Sequence, residues 1–138
     1  MAKDLFHEVV KVALQKEGWT ITHDPYTLKA LKRRFSIDLG AERVFAAQRG
    51  KETIAVEVKS FLNASPIYDF HLALGQYMNY LRVLRQNEPE RTLFVAIPLD
   101  AYNLFFIEAD VWQAVEDFAM SIIVFDDQKQ EIIHWFTF

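Results

Sequence analysis

Three residues in the first half of the chain have the types and spacing to act on a phosphate ester: Asp38, Glu57 and Lys59. In the run Thr53-Ile54-Ala55-Val56-Glu57-Val58-Lys59-Ser60, apolar Ile54, Val56 and Val58 alternate with Ala55, Glu57 and Lys59. A strand here presents Glu57 and Lys59 side by side on one face. A hard divalent cation such as Mg2+ (or Mn2+) takes oxygen ligands, usually one or two protein carboxylates completed by water and substrate phosphate oxygens. Asp38 and Glu57 can supply the carboxylates, and the main-chain carbonyl of Val58 a third oxygen. Such an ion neutralises charge on a phosphodiester and makes a bound water nucleophilic. Lys59 would orient or deprotonate that water, or steady the charge building on the phosphorus oxygens.

These side chains meet only if the chain folds them together. Ile37-Asp38-Leu39-Gly40 ends one extended run, Arg43 to Arg49 forms another, and Gly50-Lys51 reads as the turn that folds it against Thr53 to Ser60. That hairpin carries Asp38 to the Glu57 face. Downstream, Asn63-Ala64-Ser65-Pro66 starts a helix, with Ser65 suited to cap it and Pro66 to its first position. The helix runs to about Gln86 with Phe70, Leu74, Tyr77, Leu81 and Leu84 as its buried stripe; Gln76 and Tyr80, four residues apart, flank that stripe. Thr92 to Ile97 is a near-continuous apolar strand, so the unit strand–helix–strand is expected to be a parallel, right-handed crossover.

Asp4 to Glu17 reads as an amphipathic helix stopped by Gly18, with Leu5, Phe6, Val9, Val12 and Ala13 on its apolar side. Glu8, at the border of that stripe, either leans over a site on the adjoining sheet or pairs with Lys11 on a wet surface. His7 has no assigned role. Trp19 to His23 is a short strand closed by Asp24-Pro25, and His23 is a strand-end residue, since no second histidine has ligand spacing. Tyr26 to Arg34 reads as a loop or short helix bearing the basic residues Lys29, Lys32, Arg33 and Arg34, which either meet nucleic-acid phosphates or are simply solvated. Beyond Pro98, Asp100 to Phe106 and Asp110 to Ala119 are expected to be helical. Ser121 to Phe125 and Glu131 to Phe138 close the chain as a hairpin around Asp126 to Gln130. Its last strand is apolar on both faces through Ile132, Ile133, Trp135, Phe136 and Phe138, so it is either interior to the sheet or an interface for a homo-oligomer or partner.

With Asp38 as first acid and Glu57-Val58-Lys59 as the E-x-K half, the chain resembles the PD-(D/E)xK nuclease superfamily, although Ile37 stands where a proline often precedes the first acid. Leu74-Gly75-Gln76-Tyr77-Met78-Asn79-Tyr80 matches the Q-x-x-x-Y element of its RecB-like branch. Over nearly its whole length, and most clearly at Ile37 to Ala41, Ala55 to Phe61 and Leu74 to Tyr77, the chain is similar to the XisH family, excision-controlling factors of a cyanobacterial DNA element. The resemblance implies a restriction-endonuclease-like core (α-β-β-β-α-β) followed by C-terminal helices and a closing β-hairpin. It implies a Mg2+-dependent (or Mn2+-dependent) site that cleaves phosphodiesters, in which Gln76 and Tyr80 position the lysine and the DNA strand and a first-helix glutamate, here Glu8, joins the metal ligands. It also implies control of DNA excision beside a site-specific recombinase and an XisI-like companion. The alternative is a catalytically silent regulatory protein acting through those partners.

Composition bounds the rest. At 138 residues the chain is expected to be one domain, residues 1–138, and its 51% hydrophobic content is enough for a sizeable core. Absence of cysteine removes disulfides and thiolate metal sites. No apolar run approaches the roughly 20 residues of a membrane helix, and no signal-peptide core stands at the start, so a cytoplasmic protein is expected. The net charge of −4 excludes DNA binding by a broadly basic surface, so any contact must be local. With no glycine-rich loop after the first strand, a dinucleotide fold has no support, and a serine or cysteine hydrolase has none either.

Overall fold

Residues 5–30, 32–45 and 50–138 are described by a computed structural model. In chain order they form α1 (His7–Lys16), β1 (Thr20–His23), β2 (Tyr26–Ala30), β3 (Arg33–Ile37), β4 (Leu39–Phe45), β5 (Gly50–Val58), α2 (Pro66–Asn87), β6 (Thr92–Pro98), α3 (Leu99–Ala101) continuing into a π-helical segment (Tyr102–Phe106), α4 (Ala109–Asp117), β7 (Ile122–Asp126) and β8 (Glu131–Phe136). The fold is mixed α/β. Six strands make one sheet in the order β1-β4-β5-β6-β7-β8, and β2 and β3 pair separately. β4 runs antiparallel to β5, β5 parallel to β6, β6 parallel to β7, and β8 turns back antiparallel.

The period-two pattern of β5 sorts its residues onto two cores. Ile54, Val56 and Val58 pack with Val10 and Leu14 of α1 on one face of the sheet, while Ala55 packs with Phe70, Ala73 and Tyr77 of α2 on the other. Full burial of each Val, Leu, Ile or Phe side chain among these contributes roughly 1.5–3 kcal/mol. The α2 side also carries the β2–β3 hairpin, through Tyr26, Leu28 and Ile37, and α4, through Val111 and Val115. Ser65 Oγ accepts the Tyr68 N–H at 3.3 Å and Pro66 opens α2, as the sequence signals require. The crossover from β5 through α2 lands on a parallel β6, with Val56 opposite Phe94.

Three expectations need correction. Tyr26 to Arg34 is neither loop nor helix: Tyr26 pairs with Ile37, Leu28 with Phe35 and Lys29 with Arg34 in a regular antiparallel hairpin, with Leu31 outside the described residues. Gly50 and Lys51 do not form the turn before β5 but belong to that strand, opposite Phe45 and Val44; the Ala46 to Arg49 part of the expected extended run, like Asp4 of the first helix, lies outside the described residues. β8 is not interior but the last strand of the sheet. Its two apolar faces are explained by cover from both sides: Trp135 packs on Phe94 and Trp19 at ring-centroid distances of 5.1 and 5.8 Å, and Phe136 on Trp112 at 4.8 Å. No helix among the described residues is long and apolar enough to cross a membrane.

Candidate functional site

Asp38 occupies the single residue between β3 and β4, where the chain leaves the small hairpin and enters the large sheet. The break in pairing lets its backbone and side chain turn toward β5. Its N–H donates to Glu57 Oε1 at 3.2 Å, and its Oδ2 accepts the Val58 N–H at 2.7 Å. The next amide, that of Lys59 just past β5, donates the other way, to Ala96 O of β6 at 2.9 Å. Since the N–H and C=O of one strand residue share a direction that alternates along the chain, the Val58 carbonyl also leaves β5 on the Asp38 side. Lys59 Nζ stands 3.3 Å from Glu57 Oε2. The structure thus brings Asp38, Glu57, the Val58 carbonyl and Lys59 together.

Electrostatics mark the same place. Burial, and then the negative charge of Asp38, push the Glu57 carboxyl up to about 7, an effect that Lys59 and the Asp38 N–H oppose without cancelling. The Tyr80 hydroxyl is pushed up to about 12, first by burial and then by the charges of Glu57 and Asp38, so both acids act on it electrostatically. Its ring packs edge-on against Phe35 of β3 at 6.1 Å. One turn earlier on α2, Gln76 lines a cavity of about 210 Å³ together with Lys59, Ser60, Phe61, Asn63, Asp69 and Leu72. Phe61 holds φ 54°, a rare value for a bulky residue, and its ring lies 5.1 Å from that of Phe106. The chain therefore turns sharply just after Lys59, against a packed aromatic.

Glu8 belongs to a different group. It is exposed on α1, and its carboxylate shares a site with His7 and Asp24 whose ligand atoms all lie within 4.8 Å of one another. Buried His7 places Nε2 2.7 Å from Asp24 Oδ1, and Lys11 Nζ donates to Asp24 Oδ2 at 2.9 Å. Burial works against the Asp24 charge, but the hydrogen bonds from Lys11 and His7 outweigh it and hold that carboxyl below its usual range. α1 packs on the Ile54–Val56–Val58 face of the sheet, whereas Glu57 lies on the face covered by α2. His7, given no role from sequence, thus ties the first helix to the turn after β1. Nothing in the sequence signals this pairing, because Asp24 lies seventeen residues downstream. His23 is the strand-end residue expected, with its ring against Tyr26 at 4.7 Å.

The basic residues lie at the free end of the β2–β3 hairpin. Lys29, Lys32, Arg33 and Arg34 are all exposed. Lys32 and Arg33 line a groove of about 720 Å³ with Phe35, Arg82 and Gln86, so Arg82 of α2 adds a cation that its isolated place in the sequence did not reveal. Lys29 sits directly opposite Arg34, a like-charge pair that costs stability when no anion lies nearby. Phe35 joins this groove to the acids, since its ring touches Tyr80.

Among known proteins, the family model described as XisH protein matches residues 1–133 of this chain. The crystal structure of an XisH family protein from Nostoc punctiforme PCC 73102 is 40% identical, with a TM-score of 0.88 over 97% of this chain and 100% of that one. A fdxN element excision controlling factor protein from Anabaena variabilis is 41% identical, with a TM-score of 0.88 over 98% of this chain and 100% of that one. No curated protein matches the chain.

Proposed function

Because the chain belongs to the XisH family, we propose that it controls excision of a DNA element, as its Anabaena variabilis relative is described to do, and that it does so with a metal-dependent phosphodiester-cleaving site on a restriction-endonuclease-like core. The observation that carries this reading is the partly buried approach of Asp38 to Glu57 beside Lys59. Burial and the neighbouring Asp38 charge make the ionised Glu57 costly to keep, a cost that a bound cation would offset. A scaffold has no need of that cost.

The donors fit Mg2+ or Mn2+. Asp38, Glu57 and the Val58 carbonyl offer only hard oxygen ligands from one side of β5, and these are the residues that would hold the ion. When bound, it would supply charge neutralisation at the phosphate and a more acidic water. Lys59 then faces the reacting phosphorus as the residue that orients the attacking water or stabilises the oxygens. Tyr80 and Gln76, on one face of α2, hold the DNA strand and the lysine stem. Glu8, grouped with His7 and Asp24 on a helix packed against the other face of the sheet, would join the metal ligands only by a shift of α1. Lys29, Lys32, Arg33 and Arg34, with Arg82, grip the phosphate backbone locally, which suits a chain of net charge −4. A site-specific recombinase and an XisI-like companion are the proposed partners in excision.

The same net charge favours a second reading, in which the protein is catalytically silent and acts on DNA rearrangement through those partners. Calorimetric titration with Mg2+ and Mn2+ tests the site directly. Wild type is expected to bind one ion and Glu57→Ala none, with folding intact. Equal binding by both proteins would show that the site assignment is wrong.

A further inference from the structure

Lys59 is paired with one carboxylate and shares a cavity with a second. Its Nζ lies 3.3 Å from Glu57 Oε2. Lys59 also lines the 210 Å³ cavity shared with Asp69 and Gln76. In that wall Asp69 Oδ2 and Gln76 Oε1 are buried and have no hydrogen-bond partner among the described residues. Asp69 Oδ1 accepts Asn63 Nδ2 at 2.9 Å, which fixes the carboxylate from the loop before α2. Asp69 and Gln76 lie seven residues apart, two turns of one helix, and so share a face. A buried carboxylate oxygen without a donor is expensive, and the neighbouring ammonium on its flexible four-carbon stem is the group able to satisfy it.

From this juxtaposition we propose that Asp69 is a positioning residue for Lys59, and that the cavity is a second station for the Lys59 ammonium, occupied when the Glu57 oxygens pass to a divalent cation. The inference rests on the metal reading of Asp38 and Glu57. Ammonium and cation compete for the same carboxylate and repel each other across it. Asp69 and Gln76 give the displaced ammonium two acceptors within the rotation of its own side chain, so Lys59 remains next to the reacting centre instead of moving to solvent.

A double-mutant cycle on Mn2+ affinity tests this, using wild type, Asp69→Asn, Lys59→Met and the double variant, with Asp69→Ser run in parallel as a second way of removing the carboxylate. With Lys59 present, either Asp69 variant is expected to weaken Mn2+ binding roughly fivefold, the size of an ordinary coupling between neighbouring side chains. In the Lys59→Met background the same change is expected to have little effect, since no ammonium needs rehousing. Equal weakening in both backgrounds would mean that Asp69 acts on the ion by its charge alone, and no weakening in either would mean that it plays no part; each overturns the proposal. Glu57→Ala separates the two levels. If it binds Mn2+ as wild type does, the metal reading itself fails, whereas loss of binding in Glu57→Ala with an uncoupled cycle removes only the role of Asp69.

Discussion

At the scale of single residues, Glu57 has the most direct consequences. Its folded-state carboxyl stands at about 7 against an ordinary 4.5, raised by burial and then by Asp38. The folded protein therefore binds this proton more tightly than the unfolded chain does. The associated stability is complete below the ordinary value and declines as pH rises toward 7, by on the order of 3 kcal/mol. Denaturant melts of the metal-free protein between pH 4.5 and 8 are expected to show this decline, and Glu57→Gln is expected to flatten it; an unchanged slope in the variant would contradict the assignment. Metal binding has the opposite sense. The ionised carboxylate is the ligand, so Mg2+ affinity is expected to fall about tenfold per pH unit below 7, as calorimetry at fixed ionic strength would read.

Much of the site was legible because strand and helix periods act over short distances. Glu57 and Lys59 share a face by alternation, and Gln76 and Tyr80 by helical spacing. The approach of Asp38 to Glu57 needed only the expectation that β4 would fold back on β5, and it survived an error in where that turn lies. His7–Asp24, Asp69 and Arg82 were not legible. Each acquires its surroundings from packing between elements, and no local pattern encodes that.

At the scale of elements, the β2–β3 hairpin departs furthest from the loop or short helix that its sequence suggests. Tyr26, Leu28 and Ala30 do alternate with Thr27 and Lys29, but the connection carries none of the Gly, Asn or Asp residues that mark a tight hairpin, and the dense cations read as solvated loop. The hairpin is locked to the main sheet through Tyr26, whose hydroxyl donates to Glu88, itself bound by Arg91; Arg91 also lies 4.5 Å from the Tyr26 ring and donates to Ile54 O at 2.9 Å. Gly40 is where this corner is tightest. A Cβ there would meet His23 Nδ1 at 2.9 Å and Tyr26 Cδ2 at 3.0 Å. Gly40→Ala is therefore expected to cost about 1–3 kcal/mol in a urea melt, and a neutral result would show that the corner yields. For DNA, replacing both Arg33 and Arg82 by Ala is expected to lower the slope of log affinity against log salt by about 2, one for each phosphate left without its arginine. An unchanged slope would place the DNA elsewhere.

At the scale of the whole molecule, both edges of the large sheet are irregular. β1 breaks register between Ile21 and His23, and the β7–β8 pair breaks between Val124 and Phe125, leaving Ile133 as the extra residue on the outer strand. Bulges of this kind discourage another chain from adding a strand. A homo-oligomer through the C-terminal hairpin would accordingly use side chains, and Ile133 and Phe138, 39% and 51% exposed, are the apolar ones available there. If the hairpin pairs two chains, light scattering is expected to give a multiple of 16.2 kDa for wild type and 16.2 kDa for Ile133→Asp with Phe138→Ser; a wild type already at 16.2 kDa would remove the oligomer.

We propose above all that Asp38, Glu57 and Lys59 form a working nuclease site. The most direct measurement is cleavage of supercoiled and linear DNA by the Mg2+- or Mn2+-loaded protein, wild type against Lys59→Ala, with and without a companion protein. Wild type is expected to cut, and Lys59→Ala to lose roughly a hundredfold or more in rate while still binding metal. Cleavage that survives unchanged in Lys59→Ala, or metal-loaded wild type that cuts under none of these conditions, would contradict it.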